Sequence, residues 1–177
     1  DDIEIFMYGL LSIYKQEGHQ VYTMIATDGA KGGATKGRKL ANHRANEAIS
    51  GLAKLSSPIL LNLPDGELGD ELEHKKIIKE NILKIMHDLI ITHSENDYHA
   101  DHKSLSLITK GVVSHYIPIL YCDTLMGLNF NPNYYVDITD HYKLKKEAIL
   151  KHQTQDPQRF VSLFELMNSY RSAQCNA

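Results

Sequence analysis

Cysteine is scarce. The two present, Cys122 and Cys175, lie far apart. No CxxC unit exists for structural zinc or thiol–disulfide exchange, and the pair reads as reduced thiols of a cytosolic protein. A basic excess is also lacking. Lys+Arg number 19 against 22 Asp+Glu, a formal net charge of −3, which argues against a nucleic-acid partner. The longest nearly apolar stretch, Ile5 to Tyr14, is about half of the ~20 residues a membrane span needs. No basic-then-apolar export signal opens the sequence, so a cytoplasmic location is expected. Glycine fingerprints are missing too. There is no GxGxxG for a dinucleotide and no GxSxG nucleophile elbow. Gly32 and Gly37 have P-loop spacing, but Arg38-Lys39 stand where Lys and Ser/Thr are required.

What is present is ordinary globular composition, with 42% hydrophobic and 23% charged residues over 177 positions, enough for one domain. Apolar spacing alternates between helical and extended stretches. Helices are expected over 3–14, 38–55, 71–87 and 101–116, with two more at the end. Strands are expected over 21–26, 58–61, 88–93 and 118–121, and a further extended piece over 134–138. No repeat, linker or low-complexity segment interrupts them. Such alternation predicts an α/β fold with a parallel sheet covered by helices on both faces. Ligands bind beyond the carboxyl ends of such strands, which directs attention to the loops 27–37, 62–70 and 94–100.

The densest chemistry lies in His93-Ser-Glu-Asn-Asp-Tyr-His-Ala-Asp-His102, directly after a buried strand. His99 and His102 are spaced to project to one side of a helical first turn. Imidazoles with carboxylates are what a borderline divalent metal needs, with one position open to water. The competing reading is a polar loop leading into a helix, with Asp101 favourable at its N-terminus. The second candidate is Asp1-Asp2-Ile3-Glu4. Asp followed three residues later by Glu fits a helix capping box. It equally fits a metal-binding carboxylate beside a general base, since adjacent side chains diverge. A third feature is the run Lys31, Lys36, Arg38, Lys39 and Arg44 without an intervening acid, either an anion dock or a solvated loop.

These segments resemble those of one family. Asp1-Asp2-Ile3-Glu4 is similar to the tail of the His-Pro-Asp-Asp-x-Glu signature of the PIG-L/LmbE-like zinc-dependent N-deacetylases. Asn96-Asp-Tyr-His-Ala-Asp-His102 is similar to their second signature. Thr27-Asp-Gly29, Arg44-x-x-Glu47, Pro64-Asp-Gly-Glu-Leu68, Tyr135-Val-Asp-Ile138, His152-x-x-Gln155 and Arg171-x-x-Gln174 follow in the family's order. The resemblance implies a Rossmann-like three-layer α/β sandwich with a mostly parallel sheet, spanning 1–177 as one domain. It implies hydrolysis of the acetamide of a small N-acetylglucosamine-type conjugate. By position, Asp2 and His102 would be ligands of zinc, or of iron or another divalent metal, and Asp1 the general base. His99 would be the general acid or oxyanion stabiliser, oriented by Asp101. Arg44, Asp65 and Tyr98 are the expected substrate contacts. Homo-oligomers are common on this scaffold.

Two departures from the family pattern stand out. Phe6 and Tyr8 replace glycines of the first helix, with Gly9 retained. They could narrow the pocket, which favours a non-catalytic sugar-binding or regulatory relative as the alternative. The His-Pro half of the first signature is absent, as is the Tyr-Ala-Glu-x-Phe segment that often follows the end. The family's first strand and third metal ligand would then precede Asp1, and weak metal binding with little activity is expected of the 177 residues alone. A nucleotide-binding protein, without its glycines, ranks last.

Overall fold

A computed structural model describes residues 1–33, 36–113 and 115–176. Ala34 and Thr35 of the glycine-rich loop, Ser114 in the expected helix 101–116, and Ala177 lie outside the described residues. A π-helical turn, Ile3–Met7, leads into α1 (Tyr8–Gln16). The alternating units follow as β1 (Met24–Thr27), α2 (Arg38–Leu52), β2 (Ile59–Leu63), α3 (Leu72–Lys84), β3 (Ile90–Thr92), α4 (Ala100–Val113) and β4 (Ile119–Tyr121). The helices α5 (Tyr142–Ile149) and α6 (Pro157–Cys175) close the chain.

The strands pair in parallel, β1 with β2 and β3 with β4. No ladder joins the two pairs among the described residues. Side chains alternate across each pleat and so feed two cores. Ala26 and Met24 of β1, with Leu63, Ile90 and Ile119, pack against Ile78 and Ile82 of α3 and Val113 of α4. Ile25 turns the other way, toward Tyr8, Leu52, Leu55 and Ala148 from the α1, α2 and α5 side. Each fully buried Leu or Ile contributes about 1.5–3 kcal/mol relative to exposure. A third cluster, Ile5, Ile149, Val161, Phe164 and Met167, seats the π-helical turn against α5 and α6. The result is a mixed α/β architecture with strands between two helical layers, as the alternation predicts.

Several boundaries differ from the sequence expectation. Residues 134–138 form no strand, and Tyr134 is almost wholly exposed. β-Branched and aromatic residues favour a strand only when a neighbour supplies the ladder. α3 stops at Lys84, where Ile85 turns extended. The capping box at Asp1 and Glu4 does not form. Asp2 occupies the N-cap without a side-chain hydrogen bond, and Glu4 is turned into the interior. Gly9 is needed for close approach, because a Cβ there would lie 2.6 Å from Ile138.

Candidate metal centre and active site

β3 ends at Thr92, so His93 and the loop beyond it stand at the strand's carboxyl end. The loop turns on itself through Ser94, whose carbonyl accepts the Asp97 N–H at 3.2 Å. Asp97 is fully buried, and its Oδ1 accepts the His99 N–H at 2.9 Å, which sets up entry into α4. His102 follows one turn later. Its ring stacks on His93 at 3.7 Å between centroids and lies 4.6 Å from the His99 ring. The predicted same-side placement of His99 and His102 is thus present.

Asp2 arrives from the π-helical turn. Its Oδ2 is 3.5 Å from His102 Nε2, while Asp97 Oδ2 is 3.1 Å from His102 Nδ1, close enough for an ion pair but off-line for a hydrogen bond. Asp2, His93 and His102 bring one ligand atom each within 4.8 Å of one another. Burial alone would raise the Asp2 carboxyl, but its bond to His102 and the surrounding positive charge hold it well below the usual range. Burial would lower His102, yet Asp2 and Asp97 push it up to about 9. Burial brings His93 down to about 4, keeping that imidazole neutral and its lone pair available. Two carboxylates around stacked imidazoles therefore create a field that favours positive charge. His93 Nδ1 is buried without a hydrogen-bond partner. A carboxylate, two imidazoles and an unpartnered ring nitrogen suit a borderline cation such as zinc or iron.

Asp101 departs from its expected role. Its carboxylate accepts the backbone N–H groups of Gly66 at 2.7 Å and Leu68 at 3.1 Å, locking the 64–68 turn onto α4. What reaches His99 is the Asp101 backbone N–H, which donates to His99 Nδ1 at 3.3 Å. With Nδ1 accepting, the proton of a neutral His99 ring sits on Nε2. The physical reason is geometric. The first turn of α4 points the carboxylate outward to the turn, leaving the backbone facing the ring.

A cavity of about 440 Å³ opens beside this cluster. Asp1, Asp2, His93, His99, His102, Arg44, Asp65, Tyr98 and Asp101 all line it. Every residue anticipated from the sequence is therefore gathered at one cavity. Arg44 donates to the carbonyl of Gly29 at 2.7 Å and also to that of Gly32. Gly29 has φ +64°, and a Cβ there would strike the Arg44 side chain at 2.8 Å, so glycine is required. Asp65 Oδ2 accepts the Lys31 N–H at 3.0 Å. Lys31 Nζ pairs with Glu67, whereas Lys36, Arg38 and Lys39 are exposed, which favours a solvated loop for most of the basic run.

Phe6 lines the cavity and packs edge-on against Phe164 and His93. Tyr8 does not reach it and is buried in the α1–α2–α5 core. Two residues outside the expected set, His93 and Asp97, complete the cluster. The position of His93 just past a strand was the available signal. Asp97 stood in the Asn96-Asp-Tyr-His-Ala-Asp-His102 segment that resembles the family's second signature.

A model of the family described as PIG-L: GlcNAc-PI de-N-acetylase matches residues 1–113. The chain belongs to the PIG-L family. The match contains all of the cavity residues named above except those from the C-terminal helices. A search of curated protein sequences finds no match. Among solved structures, N,N′-diacetylchitobiose deacetylase from Pyrococcus horikoshii, complexed with its inhibitor MPG, superposes with a TM-score of 0.81 at 24% identity. The alignment covers 97% of this chain and 73% of the other. GalB, the 4-carboxy-2-hydroxymuconate hydratase of Pseudomonas putida KT2440, gives 0.80 at 16% identity, covering 98% and 82%. The conserved protein TT1542 from Thermus thermophilus gives 0.77 at 20%, covering 99% and 84%. These likenesses establish the LmbE-like fold, and the PIG-L match adds a deacetylase-type activity class. No helix among the described residues is long and apolar enough to cross a membrane.

Proposed function

We propose that this PIG-L protein is a metal-dependent hydrolase that removes the N-acetyl group from a small N-acetylglucosamine-type conjugate. The observation that carries the reading is the Asp2–His93–His102 cluster, flanked by Asp1 and His99 on one cavity wall. The cavity's size suits a sugar-sized ligand. GalB is a hydratase on a comparable fold, so architecture alone does not choose the reaction. The family match over Asp1 to Val113 favours amide hydrolysis.

Asp2, His102 and His93 would hold the metal. When bound, a divalent cation polarises the acetamide carbonyl and lowers the pKa of water toward ~7. Asp1 accepts the proton of the attacking water as its oxygen bonds to the carbonyl carbon. His99 Nε2–H faces the charge developing on the carbonyl oxygen and stabilises it. The C–N bond then breaks, the amine nitrogen takes up a proton through the Asp1 or His99 side, and acetate and a free amine leave. Arg44 and Asp65 are placed to orient sugar hydroxyls, and Tyr98 flanks His99, their rings 6.2 Å apart. The unit 1–177 is proposed as one domain. The proposal also includes a cytoplasmic location and a homo-oligomeric assembly.

Phe6 and Tyr8 no longer favour a non-catalytic relative, because Tyr8 is core and Phe6 leaves the cavity open. The test is acetate release from a panel of N-acetylglucosamine conjugates by the full-length protein, alongside its metal content. Stoichiometric metal with acetate and free amine is expected. Bound metal with no acetate from any conjugate would overturn the reading.

A further inference from the structure

The cavity wall has two chemically different parts. One is polar: Asp28 and Gly29 after β1, Arg44 of α2, and Asp65 after β2. The other is apolar: Phe6 of the π-helical turn, Leu125 beyond β4, and Phe160 and Phe164 of α6. No step of the hydrolysis uses these four apolar side chains.

Phe6 adjoins the candidate ligands. Asp2 precedes it by four residues on the same helical segment, which puts both side chains on one face. Its ring also meets His93 edge-on, with centroids 6.5 Å apart. Two of the three residues of the cluster therefore border one phenyl ring. The same ring is edge-on to Phe164 at 5.1 Å, and Phe164 is buried among Ile5, Ile149, Val161 and Met167. A ring packed against both a ligand residue and a core aromatic is a fixed wall, because close-packed interiors give way little.

The carbonyl carbon of an N-acyl group carries an oxygen, a nitrogen and an alkyl carbon. With the acyl group at the cluster, the oxygen belongs with His99 and the nitrogen leads to the sugar, which Arg44 and Asp65 orient. The alkyl carbon is left to the apolar part, where it forgoes no hydrogen bond. There Phe6 presents a whole phenyl ring to a substituent that begins one carbon away from the reacting centre.

We propose that Phe6, backed by Phe164, closes the acyl end of the cavity and confines the group removed to acetyl. The inference rests on the deacetylase reading above and concerns which acyl chain that site accepts. Phe6 is a specificity-determining residue and takes no part in bond breaking.

The test uses the full-length protein with Phe6→Ala and the milder Phe6→Leu, which shortens the side chain and keeps it apolar. N-acetyl-, N-propionyl- and N-butyrylglucosamine are compared by release of the free amine. The unaltered protein should act on the acetyl compound far better than on the butyryl one. One methylene in an apolar pocket discriminates by about 10- to 200-fold, so the butyryl-to-acetyl ratio of kcat/KM should rise by about that factor in Phe6→Ala. Phe6→Leu should lie between. An unchanged or falling ratio in both variants would overturn the inference.

Calorimetric titration with acetate and with butyrate, the acids such hydrolysis releases, gives a readout independent of turnover. The affinity for butyrate relative to acetate should rise in Phe6→Ala by a similar factor. If no amine is released but this relative affinity shifts with Phe6, the deacetylase reading fails and the apolar stop stands. If amine is released and both ratios are indifferent to Phe6, the stop alone fails. Absence of both turnover and carboxylate binding would overturn the two together.

Discussion

Two buried polar clusters begin on the same π-helical turn and end differently. Asp2 enters the Asp2–His93–His102 cluster, which borders the cavity and keeps an unpartnered ring nitrogen. Glu4, half a turn on, enters a two-residue pair that also borders the cavity. His152 Nε2 donates to Glu4 Oε1 at 2.9 Å, both residues are essentially unexposed, and α2 covers them at Gly51. The pair joins residues from opposite ends of the chain by one hydrogen bond, and Glu4 Oε2 and His152 Nδ1 are left without hydrogen-bond partners. The cluster has surplus negative charge and ligand atoms converging on one point. Burial of titratable groups is common to both, so burial does not distinguish function from scaffold. The convergence of three ligand atoms on one point does.

The largest effect should come from emptying the cluster. His102→Ala should lose metal and turnover together, with a rate loss on the order of 10³-fold or more. Asp1→Asn should keep the metal and lose about 10²- to 10⁴-fold in kcat. Metal analysis and acetate assays on the full-length variants read both, and an unchanged rate in Asp1→Asn would refute the assigned base.

The Glu4–His152 pair should respond in stability instead. His152→Ala strands the Glu4 carboxylate in the interior and should cost about 3–5 kcal/mol in urea unfolding. The folded fraction should retain its metal stoichiometry. Loss of metal at full stability would mean that the pair belongs to the site after all. The tightness of the cover predicts strain at Gly51, where a Cβ would lie 2.6 Å from Glu4 Oε1.

A smaller effect is expected at Lys145, buried beside Phe164, its Nζ 5.4 Å from the ring centroid. Burial pulls this amine from 10.5 down to about 8, against the opposing pull of Asp123. Below pH 8 both folded and unfolded chains carry the proton, and the folded one bears the full desolvation penalty. Between about pH 8 and 10.5 the unfolded chain binds more protons, so stability rises with pH. Lys145→Met should therefore stabilise the protein by about 1–3 kcal/mol at pH 7. The advantage should fade as pH climbs through that window. A gain that persists at pH 10.5 would point to packing as its cause.

The alternation of elements was legible because helix and strand periods are local properties of the chain. So were Asp1, Asp2, His99 and His102, since their spacing carries the family signature. His93 was visible as a residue but not as a partner of Asp2, because their meeting depends on Asp2 approaching from another element. Asp101 was legible in place and misread in partner. No spacing rule says that its carboxylate meets the 64–68 turn while its N–H meets His99. Phe6 and Tyr8 looked equivalent in sequence, yet one borders the cavity and the other fills the core.

By itself the sequence determined the family, the order of α and β units and the chemical types gathered at the site. Those properties follow from composition and from distances of a few residues along the backbone. The tertiary structure alone decided which carboxylate meets two imidazoles and which meets one, because that depends on contacts such as Glu4 with His152, made between elements at opposite ends of the chain.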